Sequence, residues 1–132
     1  MNSDRKTLSK LRLQIVKLRE EREKLEDSLF RPKAMIRASL AFLPNFCGKE
    51  DCRCKKGFPH GPYAYLSDKK KGMSRTTYVR KRDLPRIKWN VEEYVRFQKT
   101  LARLTKLNSS IRSMLEKIRD LNSQNVDDVR ST

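Results

Sequence analysis

The N-terminal part of the chain carries apolar side chains at intervals of three and four, separated by Lys, Arg and Glu. These apolar positions are Leu8, Leu11, Ile15, Leu18, Leu25 and Leu29, and Arg22 takes the one polar position in the series. This spacing is typical of the a and d positions of a coiled coil. It predicts a helix over residues 3–30, which Ser3 can cap and which Pro32 ends.

A second stripe of the same spacing runs through the C-terminal part of the chain. Its members are Tyr94, Phe97, Leu101, Leu104, Ile111, Leu115 and Ile118, with Asn108 as the one polar position and Leu107 and Met114 widening the stripe. We expect a helix over residues 83–121, capped by the Asp83 carboxylate, with Pro85 in its first turn. The polar segment 122–132 is predicted to be a disordered tail.

Neither stripe is stable in water unless it is buried. The two helices are therefore expected to pair antiparallel as a coiled-coil hairpin, with Leu11 near Asn108. A coiled coil between two chains is the alternative, and a hairpin can also dimerise on its flanks.

The middle segment, residues 34–82, has the alternating and β-rich character of strands. It predicts strands near 35–43, 63–67 and 73–80, the last two joined by a five-residue turn that contains Gly72. The expected fold is α+β, a single domain in which two long antiparallel helices flank a small antiparallel sheet. A sheet this small is marginal alone, so it needs the helices, a metal ion or both.

The segment FCGKEDCRCKKGFPHGPYAYL, residues 46–66, holds every cysteine and the one histidine of the chain. Cys47, Cys52, Cys54 and His60 offer three thiolates and an imidazole, a full donor set for one structural zinc ion. The basic side chains nearby, at Lys49, Arg53, Lys55 and Lys56, are expected to lower the thiol pKa values.

The spacing of these cysteines leaves two other readings open. Successive strand residues point to opposite faces, so Cys52 and Cys54 can converge only in a turn. The cluster could instead be reduced thiols in a basic turn, with His60 hydrogen-bonded to the backbone. A redox dithiol is the third reading, although no helix N-terminus is predicted behind the C-x-C pair.

The pattern C-G-x3-C-x-C-x2-G-x2-H-G-P-Y, which begins at Cys47 and ends at Tyr63, resembles the signature of a family of small uncharacterised prokaryotic proteins. The tyrosine-rich strand, the Lys/Gly turn and the long C-terminal helix are similar as well. The resemblance covers roughly residues 35–120, while the helix at 3–29 carries no family signal. The resemblance implies that the gene lies beside transposon genes, in a mobile element. It implies no particular activity.

Charge is the feature that bears most on function. The chain has 32 Lys and Arg against 16 Asp and Glu, a net charge of +16. Residues 53–88 hold twelve basic and two acidic residues, which makes +10 of that total. The candidate binding residues are Lys55, Lys56, Lys69, Lys70, Lys71, Arg75, Arg80, Lys81, Arg82, Arg86 and Lys88.

Such a one-signed surface indicates a polyanionic partner. We expect nucleic acid, with DNA favoured over RNA, because a two-stranded ribbon fits the major groove and lysines can follow phosphates. The alternative is a coiled-coil adapter that has a zinc knuckle and no specific nucleic-acid target. Aromatic residues lie among the cations, and exposed rings could stack on unpaired bases; these residues are Phe58, Tyr63, Tyr65, Tyr78 and Trp89. Of these, Tyr63, Tyr65 and Trp89 are expected in the small core instead.

The sequence argues against two other classes of function. Its carboxylates are scattered, and no nucleophile–base pair or phosphate loop can be found, so no catalytic residue is predicted. No apolar stretch approaches the ~20 residues of a membrane span, and the charged N-terminus lacks a signal peptide. We expect a cytoplasmic protein, associated with the nucleoid if it binds DNA.

Overall fold

The structure, a computed structural model, describes residues 2–130. It contains, in chain order, α1 (Asn2–Phe30), β1 (Ser39–Asn45), β2 (His60–Lys70), β3 (Met73–Val79), α2 (Leu84–Asn122) and α3 (Val126–Arg130). One 3₁₀ turn, Arg53–Lys56, lies between β1 and β2. The prediction of a mixed α+β fold with a three-stranded antiparallel sheet and a long C-terminal helix is confirmed. The expectation that two long helices flank the sheet is not supported, because only α2, with 39 residues, is the long helix, and α1 is shorter at 29 residues.

The contacts divide the chain into two compact units. The helical unit comprises residues 1–31 and 98–132, and the sheet unit comprises Pro32–Phe97. Helix α2 therefore contributes its first part to the sheet unit and the rest to the helical unit. None of the described helices is both long enough and apolar enough to cross a membrane.

Within the helical unit, α1 and the second part of α2 run antiparallel. Arg103 on α2 forms a 2.8 Å ion pair with Glu21 on α1. Thr7 and Leu11, near the other end of α1, line a groove with Leu121. Two residues of the predicted α1 stripe, Leu11 and Ile15, are buried at 7% and 8% exposure, and its other apolar members are half-buried.

The buried face of α2 differs from the predicted stripe by one position at three places, residues 101, 108 and 115. Leu107 is 1% exposed, whereas Leu101 and Leu115 are 39% and 52% exposed. The inward positions are thus Leu107, which is buried, and Met114, which is half-buried, rather than Asn108 and Leu115. This choice avoids burying the Asn108 amide. Asn108 lies at the edge instead, where its Oδ1 accepts a 3.4 Å hydrogen bond from Arg22, the polar residue of the α1 stripe.

The sheet has the order β1-β2-β3, with all neighbours antiparallel. Strand β1 begins at Ser39, four residues later than predicted. The reason lies in residue 36, because the backbone N–H of Ile36 donates to the Asn90 carbonyl on α2 at 2.9 Å. That segment therefore runs beside the helix before the chain enters the sheet.

The β2–β3 hairpin closes more tightly than predicted. Its turn consists of Lys71 and Gly72, with φ of 53° and 78°, so the prediction of a five-residue turn is wrong. Two central residues with positive φ form the turn whose twist matches that of antiparallel strands. The ladder extends to the turn because Asp68 and Arg75 pair across the strands, with Arg75 Nε 2.8 Å from the carboxylate.

Polar residues lie at the start of both C-terminal helices, Asp83 before α2 and Asn125 before α3. The Asp83 carbonyl accepts the Ile87 N–H at 2.9 Å, and its carboxylate faces Arg86 at 3.8 Å rather than a backbone N–H group of the first turn. Within the predicted tail, the structure has the short helix α3. Asn125 begins it by accepting the Asp128 N–H at 2.8 Å.

The sheet unit has a small core. Its buried residues are Cys54, Ala64, Val79 and Val91. Trp89 is 52% exposed, so its expected place in the core is wrong. Its ring lies 4.9 Å from the Arg96 guanidinium and 5.7 Å from the Lys33 ammonium, two cation–π contacts that hold it at the surface.

The sheet tyrosines form one edge-to-face cluster. Tyr65 and Tyr78 have ring centres 5.8 Å apart, and Tyr63 and Tyr78 have theirs 6.2 Å apart. Tyr63 and Tyr65 are half-buried, while Tyr78 is 52% exposed. Tyr63 and Tyr65 therefore pack on the sheet without being fully buried, and Tyr78 covers them from the surface.

Candidate metal centre and cationic surface

The loop of residues 46–59, called here the metal loop, joins β1 to β2. Its two ends meet, because Asn45 at the end of β1 pairs with His60 at the start of β2. Cys47 and His60 are thereby brought close although thirteen positions separate them. The pairing of β1 with β2 therefore positions two of the four candidate ligands, Cys47 and His60.

The 3₁₀ turn supplies the other half. The Cys52 carbonyl accepts the Lys55 N–H at 3.1 Å, and the Cys54 carbonyl accepts the Gly57 N–H at 3.4 Å. This backbone does not alternate as a strand does, so Cys52 and Cys54 can point to the same place. The requirement that the C-x-C pair lie in a turn is met.

The four predicted ligand atoms converge. Cys47 Sγ lies 3.5 Å from Cys54 Sγ, and Cys52 Sγ lies 3.0 Å from His60 Nε2. All four donor atoms are within 4.8 Å of one another. Cys54 is 1% exposed, and the other three are half-buried, which limits the access of water to the site.

These distances are close to those around a single metal ion with tetrahedral coordination. Zn–S bonds of about 2.3 Å and Zn–N bonds of about 2.0 Å place tetrahedral donors roughly 3.5–3.8 Å apart. The 3.5 Å sulfur pair matches that spacing, and the 3.0 Å pair is slightly closer. Cys47, Cys52, Cys54 and His60 could therefore hold a metal ion.

The electrostatics of the cluster favour a thiolate at Cys52. The pKa of Cys52 is lowered to about 6, first by the backbone N–H of Cys54 and then by the Cys47 thiol. The Lys49 backbone N–H acts to lower the pKa of Cys47, but the thiols of Cys52 and Cys54 outweigh it and raise that pKa. The causes are backbone amides and neighbouring thiols, not the basic side chains that we expected.

Gly61 lets the chain leave the site. Its φ is +97°, a conformation that residues with a Cβ rarely adopt. A Cβ built there would lie 2.7 Å from the backbone nitrogen of Tyr63. A glycine directly after His60 is therefore a steric requirement.

The predicted cationic residues do not form one patch, because β2 separates them. Lys69, Lys70 and Lys71 lie at the hairpin turn, whereas His60 and the metal loop lie at the other end of β2. An eleven-residue strand is roughly 30–35 Å long. The cations thus form a turn group and a loop-end group.

The loop-end group combines two segments of chain. Lys55 and Lys56 belong to the 3₁₀ turn. Residues 80–82 follow Val79, which pairs with Ala64, so they continue toward the end of β2 that carries His60. Lys81 accordingly lines a cavity of about 230 Å³ with Pro62 and Tyr63.

Two of the predicted cations have carboxylate partners. Arg75 is bound by Asp68, and this ion pair lowers the pKa of Asp68 and raises that of Arg75. Arg86 faces Asp83 at 3.8 Å. Within residues 2–130, the remaining candidates, Lys88 among them, make no ion pair and are exposed.

The fold and the cluster can now be set beside known proteins. A family described as a domain of unknown function, DUF6788, matches residues 13–88, which is more than half of the chain. The chain belongs to the DUF6788 family. No curated protein and no solved structure matches it.

The limits of the DUF6788 match correct the expected extent of the resemblance. The match begins inside α1, so the expectation that the first helix carries no family signal is wrong. It ends at residue 88, in the first turns of α2, rather than near 120. The DUF6788 segment therefore includes the whole sheet and the Cys/His cluster.

Sequence reasoning missed two features of this region. The Asp68–Arg75 pair follows from the register about Lys71-Gly72, and the one sequence signal for that turn was Gly72, a residue that readily adopts positive φ. The other feature is the exposure of Phe46 beside a candidate metal ligand, since of the two phenylalanines in the metal loop only Phe58 was considered as an exposed ring. Phe46 and Phe58 are 61% and 66% exposed.

Proposed function

We propose that the sheet unit is a nucleic-acid-binding module ordered by one structural zinc ion. The observation that carries the proposal is the run of exposed cations in residues 53–88, where the net charge is +10. Among the described residues, only two of the predicted cations, Arg75 and Arg86, have carboxylate partners. Exposed, unpaired lysines and arginines are the groups that neutralise phosphates and release counterions.

Zinc is the metal that suits this donor set best. Three thiolates and one imidazole complete a tetrahedral shell, as in structural zinc sites, and leave no open position for catalysis. A sheet of three strands with four buried residues in its unit gains much from such a cross-link. Metal analysis of the purified protein, followed by replacement with cobalt, tests the assignment through the thiolate-to-cobalt charge-transfer bands.

The remaining parts of the proposal concern scaffold and setting. The three-four spacing of both buried faces supports a coiled-coil hairpin as the scaffold of the helical unit. DNA is preferred over RNA because the family resemblance implies a mobile-element setting. A cytoplasmic, nucleoid-associated protein without enzymatic activity or a membrane partner is consistent with this function.

The turn group offers a direct test of binding. Replacing Lys69, Lys70 and Lys71 by Gln should weaken binding to every duplex sequence alike and flatten the dependence of log K on log salt by about 3. The control removes the same charge from α1, with Lys10, Lys17 and Lys24 replaced by Gln. If both variants lose affinity equally, the charge acts without a defined surface and the proposal fails.

A single substitution sharpens this test. Arg75 is bound by Asp68, so its charge is less available to phosphate than that of Lys69. We expect Arg75→Gln to lower affinity less than Lys69→Gln in the same anisotropy titration. The opposite order would show that the ion pair opens on binding.

A coiled-coil adapter is the second candidate, and exposed leucines favour it. Leu101 and Leu115 are 39% and 52% exposed and lie fourteen residues apart on one side of α2. Sedimentation equilibrium of the whole chain and of a variant with both leucines changed to Gln would test it. An assembly that the variant loses, in a chain that binds no nucleic acid, would favour the adapter.

A further inference from the structure

Two phenylalanines of the metal loop are largely exposed, so their rings bury little apolar surface against the protein. Phe46 is 61% exposed and directly precedes Cys47, and Phe58 is 66% exposed and lies two residues before His60. A single exposed apolar side chain needs no explanation. Two in one short loop, each within two residues of a metal-ligand candidate, are an arrangement that suits a partner.

The backbone at both positions is held in place. Phe46 follows Asn45, whose pairing with His60 closes the loop. The Phe58 N–H donates to the Arg53 carbonyl at 3.3 Å, which ties it to the 3₁₀ turn. The two rings therefore project from anchored points, and a bound metal ion would anchor them further.

The surroundings of these rings are cationic. Arg53, Lys55 and Lys56 are exposed in the 3₁₀ turn, and residues 80–82 add three cations at the same end of β2. Phenylalanine has no hydrogen-bonding group, so it can recognise only an apolar or π surface. An apolar ring beside an unpaired cation fits a ligand that has both a π face and a negative charge.

We propose that Phe46 and Phe58 stack on unpaired bases, so that the metal loop selects single-stranded over duplex nucleic acid. The inference rests on the proposed function and specifies its ligand. In a duplex the base faces are stacked on one another and are closed to a side chain, whereas unpaired bases present them. The loop-end cations hold the backbone phosphates of the same strand.

The test is fluorescence anisotropy of the whole zinc-loaded chain with three labelled probes: a short oligothymidine, its RNA counterpart and a duplex of mixed sequence. Changing Phe46 and Phe58 to Ala should weaken binding to the single strands at least about fivefold per ring, since a stacked base contributes that much or more. Affinity for the duplex should change by less than about twofold. The DNA and RNA single strands then tell which backbone is preferred.

Three further variants keep the result interpretable. Phe58→Trp and Phe46→Trp retain a stacking ring and should retain single-strand affinity. Phe30→Ala removes a phenylalanine that is 81% exposed in α1, outside the metal loop, and should change nothing. Equal zinc content in all variants excludes an effect through folding of the loop.

The outcomes separate the two proposals. If the Ala variants keep single-strand affinity while the Lys69–Lys71 variant loses it, the stacking inference is overturned and the proposed function stands. A parallel loss of duplex affinity in the Ala variants also overturns stacking. If no probe binds in a salt-dependent manner, both proposals fail together.

Discussion

The helical unit and the sheet unit differ in how they use charge. Each contains sixteen Lys and Arg, but the helical unit has ten Asp and Glu whereas the sheet unit has six, which makes their net charges +6 and +10. In the helical unit, carboxylates meet cations along and between helices, as in the Arg103–Glu21 and Arg112–Glu116 pairs. The excess charge of the sheet unit thus comes from fewer carboxylates rather than from more cations.

The two units also differ in what they bury. Among the described residues, the helical unit buries four large aliphatic side chains, Leu11, Ile15, Leu107 and Ile111. The sheet unit buries Ala64, Val79, Val91 and Cys54, of which the last is a metal-ligand candidate. We infer that apolar burial stabilises the helical unit, while the sheet unit depends on a cross-link and leaves its aromatic and basic groups available for a partner.

Removal of a metal ligand should produce the largest difference between the two units, because only the sheet unit should lose its structure. A structural zinc ion in a small domain contributes about 10 kcal/mol of folding free energy. Cys54→Ser or a strong chelator should therefore abolish the dispersed sheet signals in an NMR spectrum and leave the helical signal in circular dichroism largely intact. Asp51→Asn, a loop carboxylate outside the cluster, is the matched control and should keep its zinc. Sheet signals that survive without metal would contradict the account.

A core truncation should act on the helical unit instead. Leu107 is 1% exposed, and replacing such a leucine by Ala costs about 3 kcal/mol in unfolding free energy. Leu115→Ala, at a position that is 52% exposed, should cost no more than about 0.5 kcal/mol. Chemical denaturation followed by circular dichroism measures both. Equal losses would contradict the difference in burial between the two leucines, and a larger loss at Leu115 would mean that the predicted stripe, with Leu115 inward, is the buried one.

The exit from the metal loop should show a smaller, local effect. Gly61→Ala introduces a Cβ 2.7 Å from the Tyr63 nitrogen at a φ of +97° and should destabilise the sheet unit by roughly 1–3 kcal/mol. At Gly48 an added Cβ meets no atom of the described residues within 4 Å, so Gly48→Ala is the control. Zinc affinity measured by competition with a chelator should fall only for the first variant.

The Asp68–Arg75 pair should give the smallest effect, and one that depends on pH. The Arg75 guanidinium holds the pKa of Asp68 below its usual value near 3.8, so the pair stabilises the fold above that pH and the contribution is lost as pH falls through the lowered pKa. Arg75→Gln should raise the pKa of Asp68 in an NMR titration. Because Arg75 is 57% exposed, the change in stability should be small. An unmoved pKa would rule out the pairing in solution.

Sequence reasoning predicted the elements better than their edges. The α1 stripe was found because its apolar residues follow a regular three-four spacing, which only one polar residue, Arg22, interrupts. The α2 face was assigned one position away because Leu107 and Asn108, and Met114 and Leu115, offer two stripes that share their other members. Only packing against α1, where burying Asn108 would cost a desolvated amide, decides between them.

The Cys/His cluster was found from donor type and proximity, since those need only the sequence. Its thiol electrostatics were not, because the Cys54 backbone N–H that lowers the pKa of Cys52 exists only in the 3₁₀ geometry. Similarly, the cations could be counted in advance, but their division between the two ends of β2 requires the strand register. The exposure of Phe46 and Phe58 likewise depends on how the loop closes.

The measurement that tests the central claim most directly is the salt dependence of nucleic-acid binding by the zinc-loaded chain and by the same chain after chelation. The account predicts affinity that falls steeply and linearly on a log–log plot as salt increases, and that weakens when the metal is removed. Weak binding that is equal for duplex DNA, single-stranded DNA and RNA, and indifferent to the metal, would contradict it.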